Sequence, residues 1–347
     1  MGATTAGDGV RPVFIDSVGI VTPAAGDTSG SVGCMYVEAR RFDDLPKIGS
    51  RGPVLVGAKT PIPNDVVGLD RLVQLGTQAI WEAVSAEVAE SEIGLVVCAP
   101  SEADEPALAG QSEVFLSRLA AEAEVDIVPR ASRVFPLGHS SIFEALPFAL
   151  ASIMQPDVAA VCILGVDSLV TKPRLRLFLE RGGTIGSGRP SPGEAGAAVV
   201  LTRRQGASAH AMLLGLGVAK DRFLDQEGPP HPGRGMIAAI DRATAEAEVE
   251  RPAFSGLACD MSGTSTDMEE LAWVKTGSAF LGSSQLETVF PCLAAADAGA
   301  AMGVLVLATS AFLIRKSAWS ELGLCSLSAP GQRGAAVLSP VPSEGDG

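Results

Sequence analysis

At 347 residues the chain exceeds the ~100–200 residues of one ordinary core, so two cores or one large duplicated α/β body are expected. Hydrophobic residues at 47% against 19% charged describe a substantial buried interior and exclude wholesale disorder. The formal net charge of −14 excludes a nucleic-acid partner, because such binding rests on Lys and Arg displacing condensed counterions.

Val13 to Val21 predicts a strand that ends in the turn Thr22-Pro23. Ala24 to Asn64 is punctuated by Gly and Pro and predicts short strands at most. Leu69 to Val88 carries apolar residues at helical spacing (Leu72, Val73, Leu75, Ala79, Ile80, Ala83, Val84), with Asp70 near the positive end of the helix dipole. Ile93 to Cys98 reads as a buried strand, Gln111 to Glu124 as a helix, and Asp126 to Phe135 as a strand. The helix Ser140 to Met154 is apolar on nearly every side, which calls for enclosure by other elements, and Pro147 should kink or restart it.

Val158 to Val166 is an unalternating apolar run, the pattern of a strand covered on both faces. Ala195 to Leu201 and Ala209 to Val218 read as paired strands joined by the turn-forming Arg203 to Ser208. A helix at Met236 to Glu248 and a strand at Ala253 to Cys259 open a second α/β series, which closes with strands Gly323 to Leu327 and Ala335 to Leu338. The Gly- and Ala-rich run Ala298 to Ile314 suits a helix packed inside the protein rather than one crossing a membrane. Domain bounds follow as flexible ends at 1–12 and 342–347, with halves at 13–207 and 208–341.

The six cysteines, Cys34, Cys98, Cys162, Cys259, Cys292 and Cys325, include no C-x-x-C pair, so no zinc ribbon is expected. Three of them sit in strand-like apolar runs, where a reduced thiol behaves as a small hydrophobe, and a cytoplasmic setting fits best. No signal peptide or myristoylation pattern is read at the start. Nucleotide and metal motifs are likewise missing, so neither cofactor nor metal is expected. Arg40-Arg41, Arg174 with Arg176, and Arg203-Arg204 are the candidate basic patches, each ordinarily solvated surface charge.

The segment Val134-Phe-Pro-Leu-Gly-His-Ser-Ser-Ile142 runs a strand into a helix like a nucleophile elbow. Four further landmarks follow in order: Gly19-Ile-Val-Thr-Pro23; Gly165-Val-Asp-Ser-Leu169 with Pro192-Gly-Glu-Ala-Gly-Ala-Ala-Val-Val-Leu201; Ser262-Gly-Thr-Ser-Thr266; and Asp297-Ala-Gly-Ala-Ala-Met-Gly303. Together, from Val13 to Leu338, the chain resembles a β-ketoacyl synthase of the thiolase-like superfamily. The resemblance implies a thiolase-like duplicated α/β/α/β/α five-layer fold and a homodimer or a heterodimer with a ketosynthase, assembled chiefly through the strand Val158 to Val166. It also implies an acyl carrier protein or acyl thioester as ligand.

A condensing enzyme of this family needs a thiolate, oxyanion donors and two histidines, or a histidine and an asparagine. The resemblance places His139 at the nucleophile, or Gly138 or Ser140 if the register slips by one, and in no register a cysteine. Ser262 begins the turn that usually begins with histidine, and the other histidine maps to Ala296 or Asp297. The family's lysine has no counterpart between Ser283 and Pro291. The resemblance thus implies catalytic positions His139, Ser140 and Ser262 and substrate-binding positions Gly138, Ser141, Thr264, Thr266, Asp297 and Gly299. Standard Claisen condensation is not expected; the expected role is a noncatalytic synthase partner or an acyl or acyl-carrier binder.

Gly138-His-Ser-Ser-Ile142 also resembles a hydrolase elbow with Ser140 as nucleophile, which leaves an atypical acyltransferase or thioesterase using Ser140 or His139 as the competing reading. The plainer account has His139 capping backbone groups at the helix start and Ser262, Thr264 and Thr266 forming turns. In the same spirit Asp167 would bond nearby N–H groups, and Glu194 would anchor a turn or a subunit interface.

Overall fold

The computed structural model describes residues 12–48, 54–85, 88, 91–181, 190–220, 233–249, 254–261, 264–281 and 286–342. Ten strands form one hydrogen-bonded ladder, from β1 (Val13–Val21), β4 (Gly94–Ala99), β5 (Arg133–Pro136), β6 (Ala160–Ser168) and β7 (Glu194–Thr202) in the first part of the chain. The second part adds β8 (Ala211–Lys220), β9 (Phe254–Cys259), β10 (Glu287–Val289), β11 (Leu322–Ala329) and β12 (Gln332–Ser339). A separate two-residue pair, β2 (Asp43–Asp44) with β3 (Val56–Gly57), stands apart.

The order is β10-β9-β11-β12-β8-β1-β7-β6-β4-β5. From the seam between β1 and β8, both sides run alike: first strand, fifth, fourth, second, third. The seam itself is short, pairing Val13–Ile15 with Ala211–Leu213 antiparallel.

Side-chain alternation turns this ladder into layers, because successive residues of a strand point to opposite faces. In β6, Val161 and Ile163 face a central core with Leu146, Ala149, Val304 and Leu305, while Cys162, Leu164 and Val166 face an outer core under helices Gly68–Ala83 and Ser112–Ala123. In β12, Ala336 and Leu338 join the central core, whereas Ala335 and Val337 face helices Arg234–Glu246 and Ser265–Gly277. The sequence is therefore helix, sheet, helix, sheet, helix, as expected for the five-layer fold.

Two helices fill the centre, Ser141–Ile153 and Met302–Arg315. Both are buried on most faces, which explains why neither shows a polar side in the sequence. Truncating Leu146 or Leu305 to Ala would open a cavity at a cost of about 2–5 kcal/mol. Pro147 lies inside its helix without ending it. No helix among the described residues is long and apolar enough to cross a membrane.

Several expectations are corrected. A helix, Thr28–Tyr36, occupies the segment read as loop and short strands; the Asp27 side chain accepts from the Gly30 N–H at 2.8 Å and starts it. The strand expected over Asp126 to Phe135 is confined to β5, because Pro129–Ala131 forms a 3₁₀ turn first. β7 and β8 do not pair with each other, since β1 enters between them and bonds to both. The strand expected to join two subunits, Val158 to Val166, is interior: β6 is paired with β7 on one side and β4 on the other, and among the described residues β5 and β10 are the edge strands. The six cysteines are all free, five of them buried, and burial pushes the thiols of Cys162, Cys259, Cys292 and Cys325 up to about 12.

Candidate binding site at the first elbow

The elbow forms where β5 ends. Gly138 takes φ +61, a 3₁₀ turn covers Gly138–Ser140, and the central helix begins at Ser141. The Ser141 hydroxyl lies 2.7 Å from the Phe135 carbonyl and 3.1 Å from that of Ala99, and it accepts from the Leu137 N–H at 3.1 Å. Ser141 is fully buried and braces the elbow against β4. His139 and Ser140 are left on the open side.

The second half supplies a matching turn. Asp297 is clamped by its own backbone, donating to the Ser191 carbonyl at 3.0 Å and accepting from the Gly193 N–H at 2.8 Å. This is the local purpose of the Pro-Gly-Glu segment, which stitches the start of β7 to the turn before helix Met302–Arg315. Ala296, at φ +54, holds a strained conformation immediately before it. Gly299, at φ +52, is required twice over: a side chain there would be strained, and its Cβ would fall 2.1 Å from Asp167 Oδ2.

Across this gap the His139 Nε2 and Asp297 Oδ1 stand 2.8 Å apart. The facing Asp297 carboxylate raises His139 from its ordinary 6.5 to about 9, against the opposing effect of burial. For Asp297, burial pushes the other way, but the His139 imidazolium and its hydrogen bond, with the Gly299 N–H at 3.0 Å, hold its carboxyl below the usual range. At neutral pH the pair is an imidazolium and a carboxylate. His139 therefore does not cap the helix, as the plainer account of it had it; it closes an ion pair between the two halves.

Asp167, at the end of β6, accepts from the Ser168 N–H at 2.8 Å and the Ala300 N–H at 3.0 Å. That agrees with the backbone-bonding expectation. Burial nevertheless raises its carboxyl, although Arg174 stands 3.4 Å away and draws it down. Asp260, just past β9, is raised to about 7 by burial against a bond from the Ser328 N–H. Its field reaches His139 as well.

His139, Asp297, Asp167 and Arg174 meet around a cavity of about 380 Å³, which Asp260 does not line. Gly138, His139 and Ser140 line one side, Asp297 and Gly299 another, with Asp167 and Arg174 between them. Thr264 is not among its lining residues; its hydroxyl accepts from the Asp267 N–H at 3.2 Å and caps helix Ser265–Gly277, the turn-forming role. Ser262, the Thr266 side chain and His231 lie outside the described residues. His210 sits elsewhere, with Nδ1 3.0 Å from the Asp16 and Ser208 carbonyls.

Arg174 is the residue that sequence reasoning misplaced. Read as surface charge, it is 8% exposed and lines the cavity. Lys172-Pro173 marks the start of a helix, but nothing in the sequence tells which face of that helix turns inward. Asp104 and Arg181, paired at 2.6 Å on the cavity wall, and Asp260 carried no local signal at all.

Beneath the site lies a second node. Glu194 is fully buried and bound by Arg71 through Nε and Nη2, each at 2.7 Å, by the Thr60 N–H at 2.7 Å and hydroxyl at 2.6 Å, and by the Ser168 hydroxyl at 2.6 Å. It ties helix Gly68–Ala83 to β7 and to the residue beside Asp167. Among the described residues, no group of three or more His, Cys, Asp or Glu side chains could hold a metal ion.

No family model matches the sequence, and no curated protein is similar to it in sequence. Solved structures are similar in shape. The ishigamide ketosynthase/chain length factor superposes with a TM-score of 0.69 at 15% identity, covering 96% of this chain and 100% of that one. A chain of AntDE:AntF, a type II PKS acyl-carrier protein in complex with its ketosynthase, gives 0.74 at 11% identity, over 95% of this chain and 100% of that one. The ketosynthase from module 6 of the bacillaene synthase from Bacillus subtilis 168 gives 0.71 at 14% identity, over 96% and 72%. With both halves, both central helices and both elbow turns in place, the chain has the thiolase-like fold of the ketosynthases.

Proposed function

We propose that this ketosynthase-fold chain does not catalyse Claisen condensation and acts as the noncatalytic partner of an active synthase, binding an acyl group or its carrier in the retained pocket. The observation that carries the reading is the His139–Asp297 ion pair at the elbow. A nucleophile needs a free lone pair, and an imidazolium held by a carboxylate has none to offer. No thiol is among the residues lining the cavity, and the buried thiols stay protonated. The scaffold persists because its glycines and apolar runs serve turns and packing, which folding demands whether or not chemistry occurs.

The partner in this reading is a cysteine-bearing ketosynthase or a second copy of this chain, with an acyl carrier protein or acyl thioester delivering the ligand, in the cytoplasm. One similar structure unites a ketosynthase with a chain length factor, and another holds an acyl-carrier protein against its ketosynthase. The chain divides functionally near residue 207, each half contributing one turn to the pocket.

Intact-mass measurement after incubation with acyl thioesters tests this reading. The expected result is an unmodified chain that co-purifies with a cysteine-bearing synthase when the two are expressed together. An acyl adduct that disappears in Ser140→Ala or His139→Ala would establish instead an acyltransferase or thioesterase, the reading favoured by Ser140 lining the cavity beside the imidazolium.

A further inference from the structure

Helix Lys172–Glu180 stands between the elbow cavity and solvent. Lys172, Pro173, Arg176 and Glu180 are exposed, while Arg174, Leu177 and Phe178 line the cavity, with Arg181 just beyond the last turn. None of its apolar side chains belongs to the central core or to either outer core. Leu175 packs instead in a small cluster with Leu45, Leu55 and Val170, against which Phe178 and Leu179 rest. Nine residues are too few for a helix to persist without tertiary support, so this cluster and the polar tethers decide where it sits.

The tethers are uneven. At the far end Arg181 Nη2 meets Asp104 at 2.6 Å, and the Asp104 N–H donates to the Ser101 carbonyl at 2.9 Å and hydroxyl at 3.2 Å, which holds that carboxylate in place. At the near end the observed position is unfavourable. Thr171 occupies the N-cap without a capping bond, and its hydroxyl oxygen is buried with no hydrogen-bond partner among the described residues. Arg174 Nη1, one turn later, is equally buried and equally without a partner there. Two such groups on one short helix weaken its seated position, because lifting it lets water reach them. The N–H of Leu169, just before, is fixed to the Gly193 carbonyl at 2.8 Å, so movement begins at Val170-Thr171.

We propose that helix Lys172–Glu180 is a lid over the elbow cavity, hinged at Val170-Thr171 and latched shut by the Arg181–Asp104 ion pair. An exposed pair suits a latch, being strong enough to bias the lid shut and weak enough to let it lift. The lid does not depend on what the cavity binds, and its test uses no acyl ligand.

Ser140→Cys places a thiol on the cavity wall, and Cys34→Ser removes the one native thiol that is not buried. The rate at which the neutral reagent 2,2′-dithiodipyridine labels this full-length double variant reads the opening of the lid. The expected rate is far below that of the urea-unfolded chain, rises about threefold when Arg181→Asp sets two carboxylates face to face, and returns when Asp104→Arg is added to restore the pair with its charges exchanged. Hydrogen–deuterium exchange on the chain with its native cysteines and Ser140, with and without Arg181→Asp, carries the test if the Ser140→Cys protein does not fold. There, exchange of amides 173–181 is expected to quicken by the same factor while helix Met302–Arg315 stays unchanged. Labelling as fast as in the unfolded chain, a rate indifferent to Arg181→Asp or not restored by the exchanged pair, or quicker labelling without quicker exchange in the helix would each overturn the lid.

Discussion

Two buried arginine–carboxylate pairs lie on either side of the Asp167-Ser168 step, and they are built to different standards. Arg71 and Glu194 meet through two bonds of 2.7 Å, and the other lone pairs of the carboxylate are taken by Thr60 and Ser168. The remaining Arg71 nitrogen, Nη1, reaches the Pro63 and Val66 carbonyls at 2.9 and 3.1 Å. Arg174 and Asp167 meet at 3.4 Å, and one guanidinium nitrogen has no partner among the described residues. A closed network of charges fixes geometry, whereas an open one leaves a buried donor without its acceptor. The first pair holds the floor of the site and the second belongs to its wall.

Breaking the closed pair should have the largest effect. Glu194→Gln leaves Arg71 buried without its counter-charge, and a loss of about 3–5 kcal/mol is expected from urea unfolding monitored by circular dichroism. A loss below ~1 kcal/mol would erase the contrast between the two pairs.

The His139–Asp297 pair lies between these extremes, being well bonded yet on the cavity wall with the imidazole 37% exposed. His139→Gln should cost roughly 1–2 kcal/mol at about pH 6. Because His139 titrates at about 9 in the folded chain against 6.5 when free, its contribution is complete below about pH 6.5 and is lost as the pH rises through about 9. The gap between the two proteins in urea midpoint should therefore shrink from about pH 6 to about pH 9.5. A gap that widens would mean that the pair is not an imidazolium and a carboxylate.

The smallest effect belongs to Arg181–Asp104, whose arginine is half exposed. Arg181→Ala should lower stability by less than ~1 kcal/mol, and raising the salt concentration should narrow the difference further. A larger loss in thermal unfolding would place this pair with the closed network rather than on the rim.

Much of the fold was legible because it rests on local rules. The runs Val13 to Val21 and Val158 to Val166 and the helix from Leu69 could hardly have been anything else, given their length and apolar spacing. The helix Thr28–Tyr36 escaped because its apolar residues are few and its one clear signal, the Asp27 cap, sits in a stretch full of Gly and Pro. The entry of β1 between β7 and β8 escaped for a different reason: pairing partners nearly two hundred residues apart leave no mark on local periodicity.

The site divides the same way. The turn glycines and the elbow were visible from their order along the chain, and Gly138, His139, Ser140, Asp297 and Gly299 do line one cavity. Burial of Arg174 was not, since a cationic side chain has no sequence signature that separates a solvated position from one facing an internal wall.

By itself the sequence determined the elements, the two successive α/β series and the want of a cysteine at the elbow, because backbone propensity and apolar spacing act between near neighbours. Only the tertiary structure decided that His139 meets Asp297 and that Arg174 is left one acceptor short. Charges interact through space, and folding alone sets which of them share a dry wall.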